Sequence, residues 1–102
     1  MSSARKMDPE EIRKNLPDSW EVLPIDGVYR IRKNFPFSTY SEGIRFVNEI
    51  AREAERLDHH PDLKVGYGNV GLEVFTHSLK GLSNLDLELA LFSEKAYKAD
   101  VS

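Results

Sequence analysis

Every histidine of the chain falls between Glu55 and Asp86, and two of them, His59 and His60, are adjacent and followed by Pro61. Three histidines in 102 residues is no enrichment, so only their placement carries information. A histidine near a helix C-terminus can bond the last carbonyls, which accounts for one ring and leaves two. A metal is the second option, because neutral imidazole binds zinc and copper. Adjacent residues on a turning segment project apart, however, and the chain has neither an HExxH pairing nor a cysteine to complete a tetrahedral set. The third option is proton transfer, for which the reference imidazole pKa of about 6.5 is suited. Expelling hydroxide from carbon needs a proton delivered to the leaving oxygen and another removed as the double bond forms. A histidine cluster supplies both, and such transfer is worth about 10² to 10⁴ in rate. Glu55 and Asp86 stand where they can orient the imidazoles, although Asp86 reads equally well as half of a helix cap.

These residues need elements to position them. "DPEEIRKNLP" reads as a short helix, with Asp8 as N-cap, Pro9 at the first helical position, Glu11 reaching back and Pro17 closing it. Two extended runs flank Asp26-Gly27, a pair suited to a tight hairpin. Thr39 with Glu42 predicts a capping box, after which Tyr40, Ile44, Val47, Ile50, Ala51, Ala54 and Leu57 recur at helical spacing. Glu55 lies at the margin of that apolar arc, and Phe46 at its edge hints at a patch for a partner rather than for the core. Pro61 disfavours helical geometry at His60, so the helix should end near Asp58 with the histidine pair at its exit. From Leu63 the period becomes two, and Gly68-Asn69 marks a second hairpin whose far strand carries Thr76 and ends at His77. Ser83 caps a last helix with Asp86 at its N3 position, Leu82 stapled on Leu87, and Leu85, Leu89, Phe92 and Ala96 on its buried face. The order α-β-β-α-β-β-α predicts an α+β fold of two layers: a four-stranded antiparallel sheet with three helices on one face. No linker or repeat divides residues 1–102, which read as a single domain.

Composition excludes other classes. Forty per cent hydrophobic and thirty per cent charged residues is globular usage, and the absence of cysteine removes disulfides and thiolate chemistry. A net charge of -3 with scattered Lys and Arg argues against nucleic acid as a partner. No apolar run approaches the roughly 18 residues of a membrane span, and the N-terminus lacks a signal-type apolar region, so the expected setting is the cytoplasm, away from membranes.

Taken together, Glu55, His59-His60-Pro61, Tyr67, His77 and Asp86, with "AERLDHHP" and the "THS...GLS.LD" run, resemble the pterin-4a-carbinolamine dehydratases, also met as dimerisation cofactors of a liver transcription factor. The similarity runs from about Trp20 to the C-terminus. It implies a hydro-lyase that releases water from 4a-hydroxytetrahydrobiopterin, or a related pterin, to give a quinonoid dihydropterin during recycling of the cofactor of aromatic amino acid hydroxylases. By the same resemblance His59 and His60 are the proton donors and acceptors, and His77 binds substrate and assists. Glu55 and Asp86 are supporting carboxylates, Pro61 belongs to the motif, and backbone near Asp58 and from Thr76 to Ser78 holds the pterin ring. No metal or organic cofactor is implied, and a homo-oligomer, dimer or tetramer, is. Leu63 and Ser78 depart from the family pattern and bear on the pterin's substituent. Two other readings stand beside this one: an oligomeric interaction module of coactivator type, and a dehydratase-like protein acting on another pterin, as in molybdopterin metabolism.

Overall fold

The computed structural model of the chain describes residues 3–101. Its elements follow the expected order: α1 (Pro9–Asn15), β1 (Glu21–Ile25), β2 (Val28–Pro36), α2 (Tyr40–Leu57), β3 (Asp62–Val65), β4 (Asn69–Val74), a 3-10 turn (His77–Leu79) and α3 (Asn84–Val101). The four strands form one antiparallel sheet in the order β1-β2-β4-β3. Strand alternation divides its faces. Ile31, Phe35, Val70, Leu72 and Val74 are buried beneath the helices, whereas Arg30, Arg32, Asp62, Lys64 and Glu73 line the open face.

The local signals act as their chemistry requires. Asp8 accepts the Glu11 N–H at 2.9 Å, but the Glu11 carboxylate lies 3.6 Å from Arg5 rather than returning to the cap. Asp26 and Gly27 take φ of 53° and 79°, the left-handed pair of a two-residue hairpin. The second reversal falls one residue earlier than Gly68-Asn69. Val65 pairs with Val70, Gly66 N–H donates to Asn69 O at 2.8 Å, and Tyr67-Gly68 form the tip. A Cβ at position 66 would sit 2.3 Å from Asn69 Oδ1, the tip of a side chain that would have to turn aside, and Tyr67 at the tip is left 88% exposed.

On α2 the capping box is complete, with both Thr39–Glu42 bonds at 3.2 Å. The buried stripe is rotated from the expected one. Gly43, Phe46, Ile50, Ala54 and Leu57 face the core, while Tyr40 is 51% exposed and Ala51 is exposed. Phe46 is fully buried, its ring centroid 4.9 Å from Phe35 and 5.2 Å from Phe37, which overturns its reading as a partner-facing residue. The aromatic cluster pulls the helix round because a ring buries more apolar area than the aliphatic residues beside it.

α3 buries Leu85, Leu89 and Ala96 as expected, with Ala90 and Ser93 beside them and Phe92 only half-buried. Its Glu94 accepts Trp20 Nε1–H at 2.8 Å and pairs with Lys33, tying α3 to β2. The stretch before α1 runs along the start of α3. Met7 N–H donates to Leu82 O at 2.9 Å and Asn84 N–H to Arg5 O at 3.1 Å, a pairing with no signature in the sequence. Among the described residues no helix is long and apolar enough to cross a membrane.

Candidate active site

The histidine pair owes its geometry to the way α2 stops. Asp58 adopts φ 51° and ψ 47°, the left-handed conformation that short polar side chains tolerate. The N–H of Asp58 bonds Glu55 O at 3.2 Å and that of His59 bonds Ala54 O at 2.9 Å, the two bonds of a Schellman exit. The chain therefore leaves sideways, and its next two side chains part company. His59 turns inward and is 8% exposed; the His60 side chain stays 57% exposed.

Each imidazole of the pair is held through Nε2 by a carboxylate. His59 meets Asp86 Oδ1 at 2.6 Å, and His60 meets Glu55 Oε2 at 2.5 Å. Asp86 is fully buried, and its other oxygen accepts Ser83 N–H at 2.8 Å and the Thr76 hydroxyl at 2.9 Å. The donors line up in one direction. Leu85 N–H bonds Ser83 Oγ at 3.1 Å, Ser83 Oγ lies 2.6 Å from Thr76 Oγ1, and Thr76 passes its proton donor to Asp86. With Oδ2 taken by these two donors, Oδ1 is left for His59 Nε2, and among the described residues His59 Nδ1 has no hydrogen-bond partner. Asp86 thus serves as the N3 member of the α3 cap and as the support of His59, the two roles that its sequence position left open.

A cleft of about 460 Å³ brings these groups together; Ala4, Asp58, His59, His60, Thr76, His77, Ser78 and Leu85 line it. Glu55 stands beside His60 and Asp86 behind His59, outside the lining, and Pro61 does not reach it. Thr76 is 4% exposed, and its N–H and C=O are both spent on the turn to Leu79 and Gly81, so its contribution is the buried hydroxyl. Ser78 lines the cleft, whereas Leu63 lies half-buried on β3 and does not, so of the two departures only Ser78 touches the space for a ligand. Sequence reasoning missed Ala4, which arrives through backbone pairing, and Ser83, which showed itself only as a cap. Among the described residues no group of three or more His, Asp or Glu is disposed to hold a metal. A second concavity of about 330 Å³ crosses the open sheet face among Arg32, Asn34, Asp62, Lys64, Gly71 and Glu73, and holds no histidine.

Known proteins resemble the chain in sequence and in fold. The family model described as pterin 4 alpha carbinolamine dehydratase matches residues 5–96, a longer span than the stretch from Trp20 that the motifs suggested. A protein of Gloeobacter violaceus with the provisional name pterin-4-alpha-carbinolamine dehydratase 2 is 39% identical, over 83% of this chain and 95% of its own length. One of Saccharolobus islandicus, likewise provisionally named, is 36% identical over 100% of this chain and 98% of its own. The crystal structure of a transcriptional coactivator/pterin dehydratase from Brucella melitensis superposes with a TM-score of 0.80 at 29% identity, covering 91% of this chain and 99% of that one. A pterin dehydratase-like protein described as a RuBisCO assembly factor in the alpha-carboxysome shares the fold, with a TM-score of 0.66 at 19% identity over 78% of this chain and 89% of its own. The chain belongs to the pterin-4-alpha-carbinolamine dehydratase family.

Proposed function

We propose that the chain is a hydro-lyase that dehydrates a 4a-hydroxytetrahydropterin, 4a-hydroxytetrahydrobiopterin in the first instance, to a quinonoid dihydropterin and water. The C4a–O bond breaks as an imidazolium delivers a proton to the departing oxygen. A second imidazole takes the proton from the adjacent ring nitrogen as the carbon–nitrogen double bond forms. His59 and His60 take these two roles, His77 binds the pterin and assists, and His77 and Ser78 backbone groups hold its ring. The observation that carries the reading is the pair of neighbouring imidazoles, each fixed through Nε2 by its own carboxylate and both lining one cleft. A histidine oriented in this way by a carboxylate is the recurrent general acid–base device.

The same reading includes a homo-oligomer in the cytoplasm. Tyr40 of α2 and Leu91 of α3 are exposed apolar side chains, 51% and 45%, and β1 and β3 are open sheet edges. The solved relatives described as coactivator and assembly factor favour protein partners as a second role, without naming one for this chain.

The test is direct. Purified protein should accelerate dehydration of enzymatically generated 4a-hydroxytetrahydrobiopterin with no added metal, and His60→Ala should lower kcat by about 10² or more. His60 is exposed, so its loss leaves the core intact. Unchanged turnover in that variant refutes the assignment.

A further inference from the structure

His77 stands on the 3-10 turn at the cleft, exposed and without a side-chain hydrogen bond among the described residues, so another contact must fix its ring. The sheet supplies it. The Phe75 ring, one residue beyond β4, lies 4.1 Å from the imidazole centroid at an interplanar angle of 40°. The Arg30 guanidinium of β2 sits 4.4 Å from the centroid of the same Phe75 ring. Arg30 Nη1 in turn donates to Glu73 at 3.1 Å, both side chains being largely shielded. Arg30 Nε is buried and has no hydrogen-bond partner among the described residues, a cost that an unconstrained arginine avoids by turning to water. The guanidinium stays because a ring and a carboxylate hold it. Phe75 does not line the cleft, so whatever it does there passes through His77.

We propose that Glu73, Arg30 and Phe75 form a pillar across the open sheet face whose function is to position His77 for binding the substrate ring. Arg30 and Phe75 are positioning residues: neither touches the cleft, and both act by restricting the angle at which His77 meets a flat heterocycle. The kinetic part of this proposal rests on the dehydratase reading above. Because His77 binds the pterin and only assists the proton transfer that His59 and His60 carry out, loosening it should change affinity more than chemistry.

Steady-state kinetics on purified Phe75→Leu should therefore show KM raised roughly fivefold, the scale of one lost aromatic contact, with kcat within about twofold. Phe75→Trp should restore KM, and Arg30→Met should shift it in the same direction as Phe75→Leu. In a His77→Ala background, Phe75→Leu should add nothing. An unchanged KM in folded Phe75→Leu and Arg30→Met, or the same increase in the His77→Ala background, overturns the proposal. NMR gives a readout independent of turnover: the His77 Hε1 resonance should carry a ring-current displacement that vanishes in Phe75→Leu and returns in Phe75→Trp. If the unaltered chain turns over no pterin, the dehydratase reading fails by itself. A His77 resonance indifferent to Phe75 would then sink the pillar separately.

Discussion

An aspartate with no exposed surface costs several kcal/mol unless its lone pairs are filled, and Asp86 fills them from three directions. Asp86→Asn preserves volume and replaces one acceptor oxygen by a donor, which must then face Ser83 N–H, the Thr76 hydroxyl or His59 Nε2–H. Under the dehydratase reading the expected result is a fall in kcat of about 10²- to 10⁴-fold, because His59 loses its orientation and tautomer. Denaturant titration should show unfolding free energy lower by about 1–3 kcal/mol. Wild-type kinetics in this variant would mean that the carboxylate is only a cap. The cap was legible because Ser83 and Asp86 are three residues apart. The bond to His59 spans 27 residues, and nothing in the period or propensity of either segment announces it. Asp86 could be read as a carboxylate for the imidazoles, but which ring it meets could not. Ala4 and the Arg30–Phe75 contact were beyond even that, since they depend on which backbones lie side by side.

At the scale of elements, caps and turns were the readable part, for they are local chemistry. Asp8, the Thr39–Glu42 box and Asp26-Gly27 stand where their side chains or φ angles require. The face of α2 was not readable to the same degree. Apolar residues cover an arc wider than the strip that meets the sheet, and whether Phe46 or Tyr40 goes inward depends on Phe35, Phe37 and Tyr97, residues of other elements. The contact of α2 with α3 also has an electrostatic side. Burial, then the charge of Asp100 near the end of α3, raises the Glu49 pKa above its ordinary 4.5, against the opposing pull of Arg52 and Arg45. The two carboxyls share a hydrogen bond only when one holds a proton. A raised native pKa contributes stability that is whole below about pH 4.5 and is lost as pH climbs through the native value. Glu49→Gln should consequently raise Tm at pH 7, by about 2–4 °C for the roughly 0.5 kcal/mol that a half-buried, partly screened pair can supply. In thermal melts the gain should shrink below pH 4; a gain independent of pH would point to something other than charge.

For the whole molecule, the two-layer arrangement of one antiparallel sheet under three helices followed from element order, whereas the strand order β1-β2-β4-β3, with β2 beside β4, did not, because it rests on a pairing between non-consecutive strands. The open edges β1 and β3 and the exposed Tyr40 and Leu91 are the surface that an oligomer would cover. On the proposed reading, light scattering after size exclusion should give a mass two or four times the chain's 11.7 kDa. Leu91→Lys should shift a tetramer toward smaller species while leaving the histidine cleft folded. A monodisperse monomer at micromolar concentration would remove the oligomer from the reading.

The left-handed corner at Asp58 has a consequence for how this protein can vary. Because the residue just past the left-handed corner turns inward and the one after it outward, the corner counts in whole residues and admits no intermediate setting. Deleting the single codon for Asp58 would send His60 toward Asp86 in place of His59, and inserting one beside it would leave Asp86 facing no imidazole at all. Descendants of this sequence are thus free to drift along the helix surface, but the length of this bend is frozen.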